Sequence, residues 1–407
     1  MRNHGKGKEP VVITGIGMAA SVGADRESVW QALRRGESGV RRIRGMKGIP
    51  DDLFLGAPID FQPDPPERLK VLDLCHMVAE EALRDARIEQ GNFDRDRFGC
   101  AVSAHIGELQ PYNAPADETG TEHQRAIPWW SQWLPNTACV DIARRFGLHG
   151  PRLCHATACA SGSMEILSAA HAVQDGACDM MLAGAGEVLH PLVSAGFRKM
   201  KVLAEHEDPK KACRPFDVNR NGFVMGEGAS MFVIERLSSA LERGARIYAE
   251  ILAGRAFSEA QHVTSLDVQS DGLSYAVNAA LRKARLAPGD IDYINVHGTG
   301  THQNDLVESA SIRKVFGRAA DSIPVSAVKS MIGHLLNAAG SMELAITAMA
   351  LRDGFIPPTI NLTDPDPECE LDHVALVGSV RRPQVALKIS VAFGGHLVAL
   401  ILRRWND

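Results

Sequence analysis

Aromatic residues make up only 5% of this 407-residue chain, and no stretch reaches the roughly 18 to 20 apolar residues that a bilayer-spanning helix requires. A membrane-spanning helix is therefore not expected. Residues 1–10 are polar and basic, and no apolar segment of signal-peptide type follows them before the first strand, so the sequence reads as cytoplasmic. The eight cysteines, at positions 75, 100, 139, 154, 159, 178, 213 and 369, show no paired spacing. That argues against a disulfide framework and a zinc site, predicts no bound metal, and points to a reducing compartment. An excess of positive charge is missing too: the net charge of −5 gives no global pull toward nucleic acid or anionic lipid. An acidic partner would have to meet a local basic patch.

What is present is the alternation of an α/β protein, in a chain long enough for two or three lobes. Residues 11–17 read as a buried strand running into a glycine turn, and residues 25–35 as the helix after it. Gly15-x-Gly17 lacks the third glycine of a dinucleotide-binding fingerprint. Helical periodicity runs through residues 69–87, buried strands through 99–103 and 179–183, and a helix through 163–174. Residues 108–133, with three tryptophans and three prolines, read as a long ordered loop, a length that is often functional.

An internal echo sets the architecture. Gly162-Ser-Met-Glu-Ile-Leu returns as Gly340-Ser-Met-Glu-Leu-Ala, 178 positions later, each copy opening an apolar helix after a small-residue turn. Read as a repeat, it makes the chain a duplicated α/β unit whose two turns face each other; coincidence in an alanine-rich chain is the competing reading. The halves meet between strands 228–236 and 247–253, giving a first half 1–245 and a second half 246–407. The second half continues with a helix over 271–285, then a strand over 291–296 that ends on His297-Gly-Thr-Gly-Thr. Strands near 324–326, 387–392 and 398–402 complete it. Strand ends that release into glycine-rich loops are where α/β proteins place chemistry.

Cys159, in the run Cys154-His-Ala-Thr-Ala-Cys-Ala-Ser-Gly, falls at the first turn of a helix. The partial positive charge there favours a thiolate nucleophile; the bland alternative is a buried small hydrophobe. Lys329 and His334 occupy the second turn. Lysine is seldom buried, so composition alone reads Lys329 as a surface residue. Asp305 and Glu308 fall three apart on one helix face, and spacing does not separate a catalytic carboxylate from one that complements the helix dipole. With fifteen histidines in the chain, His155, His302 and His396 read as structural or solvent-facing.

Together, Cys159, the segment His297–Asp305, the segment Lys329-Ser-Met-Ile-Gly-His334 and Phe393-Gly-Gly395 resemble the elongating β-ketoacyl-[acyl carrier protein] synthases, type II condensing enzymes of the thiolase-like superfamily. Pro215-Phe-Asp217, residues 222–228 and Leu134-Pro-Asn136 resemble further signatures, and the match covers essentially the whole chain. The resemblance implies duplicated βαβαβαββ halves in a five-layered α-β-α-β-α architecture. It implies an acyltransferase that performs decarboxylative Claisen condensation of malonyl-carrier protein with an acyl group on Cys159, in fatty acid or polyketide biosynthesis. His297 and His334 would donate to the enolate oxygen, the N–H groups of Cys159 and Phe393 would form the oxyanion hole, and Lys329 would hold its loop and His334. Glu308 is expected to contact Lys329 or active-site water. No cofactor is implied beyond the phosphopantetheine of the acyl carrier protein that bears the substrates.

The chain departs from the family where Asn-Ser-Phe-Gly-Phe-Gly-Gly is usual, because residues 389–395 read Ile-Ser-Val-Ala-Phe-Gly-Gly. Val391 replaces an aromatic that gates acyl access, which implies a wider gate for a bulkier, branched or polyunsaturated chain. Ala392 replaces a glycine and stiffens that loop. Ile389 replaces an asparagine of a structural ion site, so Asn295 and Glu343 are expected to keep their places without a cation. The acidic carrier protein is expected to meet Arg68, Lys70, Arg198, Lys199, Lys201, Lys210, Lys211 and Arg214. A homodimer is implied, or a heterodimer with a ketosynthase-like chain-length factor; a non-elongating acyltransferase, a thiolase and a chain-length factor itself are the alternatives.

Overall fold

Strand Val11–Ala20 is buried over its whole length, and so is Gly228–Arg236 up to its last residue, which is why both read as unbroken apolar runs rather than alternating ones. The computed structural model describes residues 9–46, 50–62, 69–88, 93–104, 134 and 136–406. The expected loop over 108–133, Arg68 and Pro135 lie outside the described residues. Gly15 and Gly17 do not form a turn; they lie inside the strand, where a Cβ at Gly17 would stand 2.0 Å from the carbonyl oxygen of Val78 in helix Lys70–Asp85. Glycine here permits close helix packing.

Among the described residues eleven strands form one sheet, and its two ends repeat one order. In the first half the sequence of neighbours is Arg152–Leu153, Phe98–Ala104, Met180–Glu187, Gly228–Arg236, Val11–Ala20. In the second it is Pro324–Ser326, Tyr293–Asn295, Val385–Ala392, His396–Arg404, Ala249–Ser258, with Asp372–His373 added at the edge. By chain rank, each reads third, second, fourth, fifth, first. The halves join through the short antiparallel pairing of Val11–Ile13 with Ala249–Ile251.

Helices Ser161–Gln174 and Ala339–Asp353 form the middle layer, in a core that includes Ile166, Leu344, Phe232 and Leu400 from both half-sheets. Helices Lys70–Asp85 and Thr137–Phe146 cover the outside of the first half-sheet, and Gly272–Ala284 and His302–Phe316 that of the second. The five layers follow. Among the described residues no helix is long and apolar enough to cross a membrane.

The sequence echo is the contact between the two middle helices. A Cβ on Gly162 would lie 2.7 Å from Ser341 N, and one on Gly340 would lie 2.7 Å from Ser163 N. Ser163 Oγ meets Ser390 Oγ at 2.8 Å in the second half-sheet, while Ser230 Oγ donates to Ser341 Oγ at 2.7 Å in the first. The relation is reciprocal, as a duplicated unit requires. We expect Gly162→Ala to force these backbones apart at a cost of about 1–3 kcal/mol, read as a lower thermal midpoint; an unchanged midpoint would show that the helices have room to separate.

Candidate active site

Cys159 occupies a 3-10 turn, Ala158–Ala160, directly before helix Ser161–Gln174. Ala158 takes φ +47, a left-handed conformation that a non-glycine residue holds only when its surroundings impose it. The turn presents Cys159 to a cavity of about 310 Å³ whose wall also carries His297, His334, Val391, Ala392 and Phe393. A ring nitrogen of each histidine and Cys159 Sγ lie within 4.8 Å of one another. These three are also ligand types that zinc accepts, and no other such cluster occurs among the described residues.

His297 follows strand Tyr293–Asn295, and the loop it opens is held by carboxylates beneath it. Glu308 accepts from His297 N and Gly298 N, each at 2.6 Å, and from Asn304 Nδ2 at 2.8 Å. Burial pushes its carboxyl up to about 7, against the pull of those two backbone donors. Glu308 therefore braces the loop's backbone, rather than reaching Lys329. Asp305 accepts from Phe216 N at 2.8 Å and Gly300 N at 3.3 Å, joining the histidine loop to the Pro215–Asp217 segment.

Lys329 is buried, against the compositional expectation of a surface lysine. Its Nζ donates to the carbonyl of His297 at 2.5 Å, to His297 Nδ1 at 3.1 Å and to Glu343 Oε1. All three ammonium protons are thus engaged on His297 and Glu343, and the expected hold on His334 is not made. His334 is positioned by backbone instead: its N–H donates to Val224 O at 2.6 Å, and its Nδ1 accepts from Leu336 N at 3.1 Å. A lysine ammonium and a backbone N–H only donate, so Nδ1 of each imidazole accepts and each ring proton sits on Nε2. Burial, with the charge of Lys329 next, holds both imidazoles well below the usual histidine range. Two neutral rings with Nε2–H donors result.

The sulfur differs from the sequence expectation of a resting thiolate. Burial pushes the Cys159 thiol up to about 12, while the charge of Lys329 pulls it down less. Helix dipoles act within a turn and do not outweigh a low-dielectric wall of this extent. We expect alkylation of Cys159 by iodoacetamide to accelerate by nearly tenfold per pH unit between about pH 7 and 9; a plateau below pH 8 would mean that the helix end prevails.

Val391 and Ala392 belong to strand Val385–Ala392, pair with Leu397 and His396, and line the cavity. The turn lies beyond them, at Gly394 and Gly395, both with positive φ, and it carries Phe393 to a position 6.3 Å from the Phe197 ring. Asn295 donates to the carbonyl of Glu343 at 3.3 Å, and Ile389 is buried in the second half's core. Of the three weaker histidines, His302 is exposed, His396 half-buried, and His155 bound to Glu165 at 2.9 Å.

The basic residues divide. Lys70 turns inward to Glu227 at 2.6 Å and Ile59 O at 3.0 Å, which removes it from the docking set. Arg198, Lys199, Lys201, Lys210 and Lys211 are exposed, and Arg214 is half-buried. Met200, between Lys199 and Lys201, lines the cavity, so these two lysines flank a residue of its wall. Sequence reasoning missed Lys388, wholly buried 2.7 Å from Glu343 Oε2. A lone charged residue inside a mostly apolar strand was the available signal.

Comparison with known proteins places this geometry. Residues 8–62 and 69–240 match the beta-ketoacyl synthase N-terminal domain, and residues 248–363 match its C-terminal domain. The chain is 37% identical to the tetracenomycin polyketide synthase ketoacyl synthase alpha subunit of Streptomyces glaucescens, over 97% of each chain. It is 35% identical to 3-oxoacyl-[acyl-carrier-protein] synthase 2 of a Synechocystis species, over 98% of this chain and 99% of that one. A solved ketosynthase, in complex with its type II polyketide acyl carrier protein and bound to the hexaketide, superposes with a TM-score of 0.88 at 29% identity, over 98% of this chain and 100% of that one. With both domains matched in order around a Cys159, His297 and His334 cluster, the chain belongs to the β-ketoacyl synthase family.

Proposed function

We propose that the protein is a 3-oxoacyl-[acyl carrier protein] synthase that extends an acyl chain by decarboxylative condensation with a malonyl thioester. The observation that carries this reading is the pair of neutral imidazoles with Nε2–H donors beside a single thiol. Cys159 sulfur attacks the carbonyl of an acyl thioester; its proton leaves with the carrier thiol, and the oxyanion is received by the N–H groups of Cys159 and Phe393. The malonyl C–C bond then breaks, CO₂ departs, and the electron pair becomes an enolate whose oxygen takes hydrogen bonds from His297 and His334. Donors that are already neutral add no proton to that oxygen and so leave the carbon nucleophilic. The enolate carbon attacks the acyl group on Cys159, the C–S bond breaks, a 3-oxoacyl thioester two carbons longer leaves, and the sulfur, expelled as a thiolate, takes a proton from solvent to restore the thiol.

Lys329 and Glu343 position His297, Glu308 and Asp305 brace its loop, and Asn295 supports Glu343. Val391 and Ala392 shape the acyl entrance, where valine leaves room for a bulkier chain. The substrates arrive on phosphopantetheine of an acidic carrier protein, and Arg198, Lys199, Lys201 and Arg214 are its proposed contacts; no further cofactor is invoked. The repeated strand order on either side supports a division at about residue 245 into two thiolase-like halves. The reaction is placed in the cytoplasm, where the eight free cysteines stay reduced.

A homodimer is one assembly. The likeness to a polyketide ketoacyl synthase alpha subunit favours a second: a specialised synthase working beside a chain-length-factor-like subunit. One experiment tests the activity and its substrate together. Purified protein, given a mixed pool of acyl carriers and malonyl carrier, should carry an acyl group on the peptide containing Cys159 and release a product two carbons longer, both read by mass spectrometry. Acylation without elongation would reduce the protein to an acyltransferase, and neither would make it a non-catalytic companion.

A further inference from the structure

The proposed mechanism makes no use of Lys388, although this lysine lies directly behind the site. It stands in strand Val385–Ala392, fully withdrawn from solvent between the buried Leu387 and Ile389. Its Nζ is 2.7 Å from Glu343 Oε2 and donates to the carbonyl of Ile389. Lys329 occupies the other oxygen of the same carboxylate. Glu343 is itself buried, so one carboxylate bridges two interior ammonium groups.

A lysine is not kept at such a place for packing. Each buried ion carries a desolvation cost, and methionine would fill similar space without it. What the position supplies is charge among oxygens. Asn295 is the cross-strand partner of Lys388, and its side-chain oxygen is buried without a hydrogen-bond donor. A carboxylate, a backbone carbonyl and an amide oxygen are the donor types that a hard cation takes. Here the cation is covalently attached.

We propose that Lys388 is a positioning residue whose ammonium serves as a tethered cation, holding Glu343 and, through it, the Lys329 strap on His297 where a bound metal ion would otherwise be needed. The inference rests on the condensation reading for its kinetic consequence, but not for its structural one. Both lysines add positive charge behind His297 and His334, and burial with that charge holds the two rings neutral.

The test compares wild type and Lys388→Ala with potassium or with choline as the sole monovalent cation, at constant ionic strength. Wild type should keep its kcat and thermal midpoint in choline. Lys388→Ala should lose about ten- to a hundredfold in kcat for malonyl decarboxylation in choline, at little changed KM, and potassium or methylammonium should restore several-fold of it and raise the midpoint. A wild type that needs potassium overturns the proposal, and that measurement needs no variant to fold. So does a Lys388→Ala protein with full activity in choline, or one whose loss no cation relieves. If wild type forms no 3-oxoacyl product, the condensation reading fails, while the cation dependence of the two thermal midpoints still decides the role of Lys388.

Discussion

Replacing His334 with alanine should slow malonyl decarboxylation by about 10²- to 10³-fold while leaving acyl transfer to Cys159 within a few-fold of wild type. The asymmetry follows from which oxygen each donor serves. His334 has its Nδ1 committed to Leu336 N, so its Nε2–H is the only hydrogen-bonding group it offers to the cavity. The acyl-transfer oxyanion is served by backbone N–H groups, which the substitution leaves in place. Decarboxylation by single turnover and acylation by intact mass would be measured on the same preparation. Equal loss in both steps would mean that His334 acts on the sulfur, and the assignment of the two imidazoles to the enolate would fall.

Lys329→Met should be the most destabilising single change in the site, by about 3–5 kcal/mol, because it strips one of the two cations from a carboxylate that has no route to water. It also frees His297 Nδ1 from its donor, so the ring can take the tautomer that turns a lone pair, instead of an N–H, toward the enolate. Decarboxylation should fall further than in His334→Ala, with the thermal midpoint lowered in parallel. Denaturant unfolding would read the first effect and single-turnover decarboxylation the second. A variant as stable as wild type would mean that the ion-pair network drawn around Glu343 is wrong.

The legible part of this site was the part built from loops. Cys159, His297 and His334 each follow a strand or a small-residue turn, and polar residues at such places stand out against apolar flanks. The repeat was readable for the same reason, since Gly162 and Gly340 are constrained by one contact, each against the serine beside the other. Partner choice was not readable. That Lys329 reaches His297 and not His334, and that Glu308 braces a backbone turn and not a lysine, depends on distances across the interface between elements. Lys388 escaped because the run around it has the composition of an interior strand, and a strand pattern says which residues are buried without saying what neutralises one that is charged. The upward push on the thiol was not readable, because a helix end is visible in sequence and the burial of the sulfur is not.

The proposed decarboxylation depends on two uncharged rings that each point an N–H toward the substrate oxygen. Nitrogen-15 NMR of histidine-labelled protein, with His297 and His334 assigned by substitution, reads protonation and tautomer directly. Both residues should show a neutral ring at pH 7, and still at pH 6, with the proton on Nε2 and a bare, hydrogen-bond-accepting Nδ1. An imidazolium signal from either residue at pH 7, or a proton on Nδ1, would contradict it.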